Sequence, residues 1–133
     1  MDNPNLATVV RIYQCIFGGE VDRMEPLLAP GFYLIEAESL PYGGEYEGFQ
    51  GFKSLLRKVA AFWNRTLVGE VERMIADGDW VIAVLRLRGR DPKTGERVSM
   101  SVCEVWECRD GKAVALWPYY WDTKRISDMA GDG

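Results

Sequence analysis

Two glutamates in the first half of the chain are the first residues whose type and position could support chemistry. Glu36 and Glu38 continue, at a period of two, the apolar face that Phe32 and Leu34 open in the segment FYLIEAES. A carboxylate on a half-apolar face at a strand end can hold a raised pKa and act as a general acid or base. The same spacing also fits two glutamates that point to water beyond the edge of the core.

The chain contains no histidine, which limits the chemistry available to it. Serine–histidine and cysteine–histidine nucleophile systems are excluded, and the composition argues against zinc or copper. Three cysteines, Cys15, Cys103 and Cys108, are odd in number and show no CxxC spacing, so we expect free, buried thiols. Acid–base chemistry would therefore use carboxylates, tyrosine, lysine or cysteine, and we predict no metal site and no cofactor.

Glu104 and Tyr13 could complement these carboxylates. Glu104 alternates with Met100 and Trp106 on one face of the segment VSMSVCEVWEC, where an ionised carboxylate must be paired or stay protonated. A buried salt bridge or a strand register shifted by one residue would explain its position equally well. Tyr13 lies on the apolar stripe of a predicted helix, where an ordinary buried tyrosine is the alternative.

The elements that position these residues follow from apolar periodicity and turn signals. Asn3 is a predicted N-cap with Pro4 in the first helical turn. The pairs Asp77-Gly78 and Asp110-Gly111 predict tight hairpins. In chain order we predict a helix from Pro4 to Gly18, a helix over 20–28, a strand over 32–39, a helix over 49–62, and strands over 66–76, 80–89, 97–108 and 113–121.

The order α-α-β-α-β-β-β-β predicts an α+β fold in which a curved antiparallel sheet wraps around the N-terminal helices. Such a sheet forms a cone with an internal pocket between helices and strands. We expect a single domain over 1–126, and a short, polar, flexible tail over 127–133.

Composition narrows the class of partner. Of 133 residues, 47% are hydrophobic and the net charge is −4, which argues against nucleic-acid binding. There is no apolar run of membrane-spanning length and the start is not a signal peptide, so we expect no membrane partner and a cytoplasmic location. Five Trp, six Tyr and five Phe indicate a large apolar pocket or an oligomer interface. Because the last predicted strand is bulky on both faces, we expect a homodimer formed through the sheet.

Three segments carry a resemblance to a known family: TVVRIYQCIFGGEVDRMEPLLAP, ESLPYGGEYEGFQGF and CEVWECRDGKAVALWPYYWD. Over about residues 4–125 the chain resembles the SnoaL-like, ketosteroid isomerase-like family of the nuclear transport factor 2-like superfamily. The resemblance implies a cystatin-like cone with an internal pocket, and it names no substrate.

The resemblance also implies residue roles. Tyr13 matches the helical tyrosine that donates to the developing oxyanion, and Glu104 matches the protonated acid that donates beside it. Glu36 matches the catalytic base when residues are counted from the second helix, and Ser39 matches it when they are counted back from Gly48. Glu38 shares the face of Glu36, and we favour Glu36. The base of the family is usually Asp, and the His that cyclases of this group often pair with it is absent here.

We therefore expect a protein that binds a small hydrophobic molecule, and if it is an enzyme, an isomerase or cyclase that removes a proton alpha to a carbonyl. The expected substrate-binding residues are Glu38, Trp63, Met100, Trp106 and Tyr120.

Two alternatives remain at this point. One is a non-catalytic ligand-binding or protein-interaction module of the same fold. The other is epoxide hydrolysis of the limonene-epoxide-hydrolase kind, in which Arg73, Arg86 or Arg88 would have to bridge two carboxylates.

Overall fold

The computed structural model describes residues 3–130 of the chain. A 3-10 helix, Val21–Leu27, connects the first helix to the first strand. The remaining elements, in chain order, are α1 (Pro4–Phe17), β1 (Leu28–Glu36), β2 (Gly44–Glu47), α2 (Gly48–Phe62), β3 (Val68–Asp77), β4 (Trp80–Arg90), β5 (Arg97–Arg109), β6 (Lys112–Tyr120) and α3 (Thr123–Ala130).

The six strands form one curved, open sheet in the order β2-β1-β6-β5-β4-β3. The α+β class is confirmed, but the sheet is mixed and not wholly antiparallel, because β1 runs parallel to β6. The neighbours β1 and β6 are separated by most of the chain, so no hairpin fixes their relative direction. The β1–β6 pairing joins the N-terminal half of the chain to the C-terminal meander of β3 to β6.

Both predicted hairpins are present, but the first turn lies one residue later than predicted, at Gly78 and Asp79 and not at Asp77 and Gly78. The β3–β4 turn closes on the pair Asp77 and Trp80, and the β5–β6 turn closes on Arg109 and Lys112. Asp110 and Gly111 both have positive φ, at 52° and 77°, which is the backbone that a two-residue type I′ turn requires.

The start of α1 is fastened to these two turns. The Asn3 side chain caps the helix by accepting from the backbone N–H groups of Asn5 and Leu6, as predicted. Asn5, which is buried, donates from Nδ2 to the carbonyl of Gly78 at 3.1 Å and accepts at Oδ1 from the N–H of Gly111 at 2.9 Å. The side-chain amide of Asn5 therefore holds the start of α1 against the turns of both hairpins.

Three local differences from the predictions lie between α1 and α2. The second helix is a 3-10 helix that contains Pro26, which has no N–H to donate to a longer helical ladder. The strand predicted to reach Ser39 ends at Glu36, because Ala37 and Leu40 accept turn hydrogen bonds from Leu40 and Gly43. The segment predicted as a loop contains the short edge strand β2, which pairs with β1.

The predicted flexible tail is wrong for residues 127–130, which belong to α3. Ile126 and Met129 are buried by this helix, and Arg125 forms ion pairs with Asp91 and Glu96 of the β4–β5 connection. The apolar spacing of only two residues in a short polar segment was too weak to predict the helix. The predicted boundary at 126 therefore falls inside an element, and residues 131–133 lie outside the described residues.

Two further points concern the surface. The cysteines are free as expected, but Cys103 is exposed on the outer face of the sheet, whereas Cys15 and Cys108 are buried. Within residues 3–130, no helix is long and apolar enough to span a membrane.

Replacing Ile126 by Ala tests the docking of α3. The Ile126 side chain is fully buried, so we expect a loss of about 3 kcal/mol in the free energy of unfolding, measured by urea denaturation. The exposed substitution Lys124→Ala on the same helix is the control and should change it by less than about 0.5 kcal/mol. Equal, small effects of both substitutions would contradict a docked helix.

Candidate functional site

A cavity of about 510 Å³ lies between α1, α2 and the inner face of the sheet. Most of its wall is apolar, and includes Leu34, Phe52, Leu55, Leu85 and Leu116. The side chains that bring polar atoms to the wall are those of Tyr13, Glu36, Glu104, Trp106 and Tyr120. Few polar groups in an apolar cavity are typical of a small-molecule site.

The mouth of the cavity is formed by apolar side chains from α1, α2 and the start of β3. Phe17 and Val68 are 51% and 60% exposed, and both line the cavity. The Phe17 ring stacks on that of Tyr13, with centroids 5.8 Å apart. A Cβ atom at Gly69 would lie 3.3 Å from the Phe17 ring, so the glycine leaves room for that ring beside β3.

Glu36 is the most unusual residue of the cavity. It is only 3% exposed at the end of β1, and its Oε1 atom has no hydrogen-bond partner. Burial, and secondly the charge of Glu104, raise the pKa of Glu36 to about 8. An unpartnered buried carboxyl oxygen costs free energy, so its presence in a cavity wall calls for a functional explanation.

Tyr13, Glu104 and Trp106 form a hydrogen-bonded group that we call the Tyr13 network. Trp106 Nε1 donates to Tyr13 Oη at 2.9 Å, and Tyr13 Oη donates to Glu104 Oε1 at 2.5 Å. Burial raises the pKa of Glu104, and burial followed by the Glu104 charge raises the pKa of Tyr13. When Glu104 is neutral, the pair holds two O–H hydrogens. One joins the two residues and the other is available to a ligand.

Tyr120 belongs to a second group, the Tyr42 network of Trp63, Tyr42 and Tyr120. Trp63 Nε1 donates to Tyr42 Oη at 3.2 Å, and Tyr42 Oη donates to Tyr120 Oη at 3.2 Å. Burial, and then the charge of Glu36, raise the pKa of Tyr120. Tyr120 is therefore a neutral phenol that lines the cavity close to Glu36.

The structure brings together five of the residues predicted from the sequence and separates three. Tyr13, Glu36, Glu104, Trp106 and Tyr120 all line the cavity.

The other three predicted residues lie elsewhere. Glu38 is exposed, because β1 ends two residues before it and the turn carries it off the inner face. Met100 is buried in the core on β5, away from the cavity wall. Trp63 is 1% exposed and packs behind the wall, where it reaches the site only through Tyr42. Ser39, the other candidate for the base, is exposed like Glu38.

Tyr42 was missed by the sequence analysis. It lies in the segment LPYGG, whose Pro and Gly residues indicate a turn, and turn residues are usually exposed. Tyr42 is nevertheless 98% buried, since 2% of it is exposed. An aromatic residue inside such a turn was the feature of the sequence that could have indicated its burial.

The arginines expected for epoxide hydrolysis do not reach the site. Arg73, Arg86 and Arg88 are absent from the cavity wall, and Arg88 pairs with Glu70 on the surface. Among the ion pairs of residues 3–130, none includes Glu36 or Glu104. The salt-bridge and shifted-register explanations for Glu104 are therefore wrong, since its carboxyl is held by Tyr13.

An open curved sheet that covers helices and encloses one largely apolar cavity defines the nuclear transport factor 2-like class of α+β proteins. Within this class, the SnoaL-like domain model matches residues 9–116, and the chain belongs to that family. The resemblance stated from the sequence is confirmed. A comparison with curated proteins finds no match.

Solved structures with this fold cover almost the whole chain at low sequence identity. TerC, co-crystallised with polyporic acid, has a TM-score of 0.83 at 19% identity and covers 96% of this chain and 98% of its own. A protein described as a candidate SnoaL-like polyketide cyclase, from Jannaschia sp. CCS1, has a TM-score of 0.79 at 20% identity, covering 100% and 99%. IdmH, a candidate polyketide cyclase from Streptomyces antibioticus, has a TM-score of 0.73 at 19% identity, covering 98% and 100%. At these identities the likeness shows the fold.

The raised pKa of Glu36 predicts a pH dependence of stability. Between pH 4.5 and about 8 the folded protein keeps the Glu36 proton, while the unfolded chain releases it. The free energy of unfolding should therefore fall as pH rises through this window. Glu36→Gln cannot ionise, and we expect its stability relative to wild type to increase by roughly 3 kcal/mol from pH 5 to pH 8.

Urea denaturation at pH 5, 6.5 and 8 measures this difference. Glu38→Gln is the matched control. Because Glu38 is exposed, this substitution should give the same pH dependence of the free energy of unfolding as wild type. If Glu36→Gln followed the wild-type pH dependence, the carboxyl would be ionised or partnered in the folded state.

Proposed function

We propose that this protein binds a small hydrophobic carbonyl compound in the cavity and transfers a proton alpha to the carbonyl, as an isomerase or cyclase does. The observation that carries the proposal is the unpartnered Oε1 of Glu36 in the wall of an apolar cavity. A carboxylate in this position can accept a proton from a bound ligand. The Tyr13 network supplies the neutral donors that an enolate oxygen requires.

The proposed step balances with these residues alone. Ionised Glu36 takes the proton from the alpha carbon, and the electrons of the C–H bond form the carbon–carbon double bond of an enolate. The negative charge moves to the carbonyl oxygen, which accepts a hydrogen bond from the Tyr13 and Glu104 pair. In an isomerisation, Glu36 returns the proton to a different carbon. In a cyclisation, the enolate carbon attacks a second carbonyl of the ligand, and the resulting alkoxide takes the proton.

Burial of Glu36 sets the pH at which this base works. A carboxylate with a pKa of about 8 is a much stronger base than an exposed one, but only its ionised fraction reacts. Activity should therefore rise with pH and reach half of its plateau near pH 8.

Exchange of the alpha hydrogens of 2-tetralone in deuterated buffer, followed by NMR, tests the proposal without knowledge of the natural substrate. Wild type should catalyse exchange, and Glu36→Gln should lower the protein-catalysed rate by at least about 100-fold, since general base catalysis contributes 10²–10⁴-fold. Glu38→Gln should retain the wild-type rate. A rate unchanged in Glu36→Gln would refute Glu36 as the base.

A non-catalytic ligand-binding module is the second candidate, and one observation favours it. With a pKa of about 8, Glu36 is mostly protonated at neutral pH in the empty cavity, so it could serve as a hydrogen-bond donor to a ligand. Saturable binding of 2-tetralone without any catalysed exchange from pH 6 to pH 9 would select this candidate.

We also propose that a second copy of the chain covers the outer face of the sheet. Trp80, Trp117 and Tyr33 pack together there, with ring centroids 6.1 Å and 5.7 Å apart, and Tyr119 is 60% exposed beside them. A contiguous aromatic patch of this kind on a sheet face is complementary to itself under two-fold symmetry.

Tyr119→Glu should shift the protein toward the monomer, because it buries a charge in the proposed interface. Sedimentation velocity at micromolar concentration measures the change. Arg57→Gln on the exposed side of α2 changes the net charge equally and should leave the dimer intact. A wild-type protein that sediments as a monomer would contradict the proposed dimer.

A further inference from the structure

The direction of the hydrogen bonds in the Tyr42 network is fixed at its buried end. An indole N–H can only donate, so Tyr42 Oη accepts from Trp63 Nε1. Tyr42 uses its own hydrogen for Tyr120 Oη, which leaves the hydrogen of Tyr120 without an acceptor inside the network. Since Tyr120 lines the cavity, this hydrogen is available to a ligand.

The Tyr13 network has the same construction. It also begins at an indole that is fully buried, passes through a tyrosine and ends on a side chain of the cavity wall. When Glu104 is protonated, the cavity therefore has two separate O–H donors, one from each network, in addition to the unpartnered carboxyl of Glu36.

Tyr120, the last residue of the Tyr42 network, lies on β6. This strand runs between β1, which carries Glu36, and β5, which carries Glu104. Glu104 pairs with Pro118 of β6. The parallel pairing of β1 with β6 ends at Leu34 and Leu116, and Glu36 and the same Pro118 lie two residues further along their strands. Tyr120 lies two residues further along β6, about 7 Å away. The charges that act on Tyr120 are those of Glu36 and Glu104, and Tyr42 is the other titratable group that faces it.

We propose that Tyr120 is a second ligand-contacting donor, and that the ligand carries two oxygen acceptors, one for each network. Tyr42 and Trp63 are positioning residues that act through Tyr120. The proposal rests on the proposed function only in taking the cavity as the ligand site. It adds that a ligand with a single oxygen leaves one donor unused.

The packing around Trp63 and Tyr42 agrees with a positioning role. A Cβ atom at Gly89 would lie 2.8 Å from Trp63 Cε3, so β4 approaches the indole as closely as only a glycine allows. The Tyr42 carbonyl accepts from Tyr46 Oη at 2.8 Å, and the Tyr42 ring packs against Phe62. Contacts to both the ring and the backbone of Tyr42 thus fix the position of its hydroxyl.

Binding of 1-naphthol and of 1,3-, 1,5- and 2,7-dihydroxynaphthalene, measured by calorimetry, tests the proposal. Wild type should bind at least one diol about fivefold more tightly than 1-naphthol, because the second oxygen meets the second donor. Tyr120→Phe should abolish this ratio while retaining the affinity for 1-naphthol. Tyr42→Phe should lower the ratio in part, since Tyr120 keeps its hydroxyl but loses its orienting partner.

Tyr119→Phe, on the outer face of the same strand, is the control and should leave the ratio unchanged. Tyr13→Phe should weaken 1-naphthol and the diol together. Absence of any diol preference in wild type, or a preference that survives Tyr120→Phe, would overturn the proposal. The readout is binding alone, so a failure of catalysed exchange would not affect it.

Discussion

The hydrogen bonds of Asn5 determine where the first helix lies, and much of the remaining structure depends on that placement. One buried amide joins the start of α1 to the turn of each of two hairpins. Tyr13 lies eight residues further along the same helix, about 12 Å from Asn5. The hydroxyl of Tyr13 can reach Glu104 because the helix is fixed relative to the strand that carries this carboxyl.

The second constraint is electrostatic. Two carboxyl groups face one apolar cavity; burial raises the pKa of both, and the charge of Glu104 further favours the neutral form of Glu36. They differ in their partners, since Glu104 accepts from Tyr13 and Glu36 Oε1 has no partner. This difference gives two chemically equivalent side chains separate proposed roles, one as a donor and one as a base.

Local periodicity and turn chemistry allowed the class of fold and the hairpins to be predicted from the sequence, whereas the grouping of Tyr13, Glu36 and Glu104 in one cavity was implied by the family resemblance. Glu36 and Glu104 stand out as charges on apolar faces, and Tyr13 lies on a helical stripe. The parallel pairing of β1 with β6 depends on contacts between distant segments, which periodicity does not report.

The remaining errors have similar causes. The exposure of Glu38 follows from a turn that begins one residue after Glu36, and a period of two cannot show where a strand ends. The place of Trp63 behind the wall depends on Tyr42, a residue that turn chemistry indicates as exposed. Both errors arise where tertiary packing overrides a correct local pattern.

One exposed residue at the mouth of the cavity, Val68, lies on β3, a strand that carries none of the hydrogen-bonding groups of the two networks. Val68 forms none of the side-chain hydrogen bonds of the two networks, whereas Tyr13 and Tyr42 each accept from a buried indole. Substitution of Val68 can therefore alter which molecules enter while the two networks keep their hydrogen bonds. Such a division allows a lineage to acquire new ligands by drift at an apolar position, while the hydrogen-bonding groups of the cavity are kept.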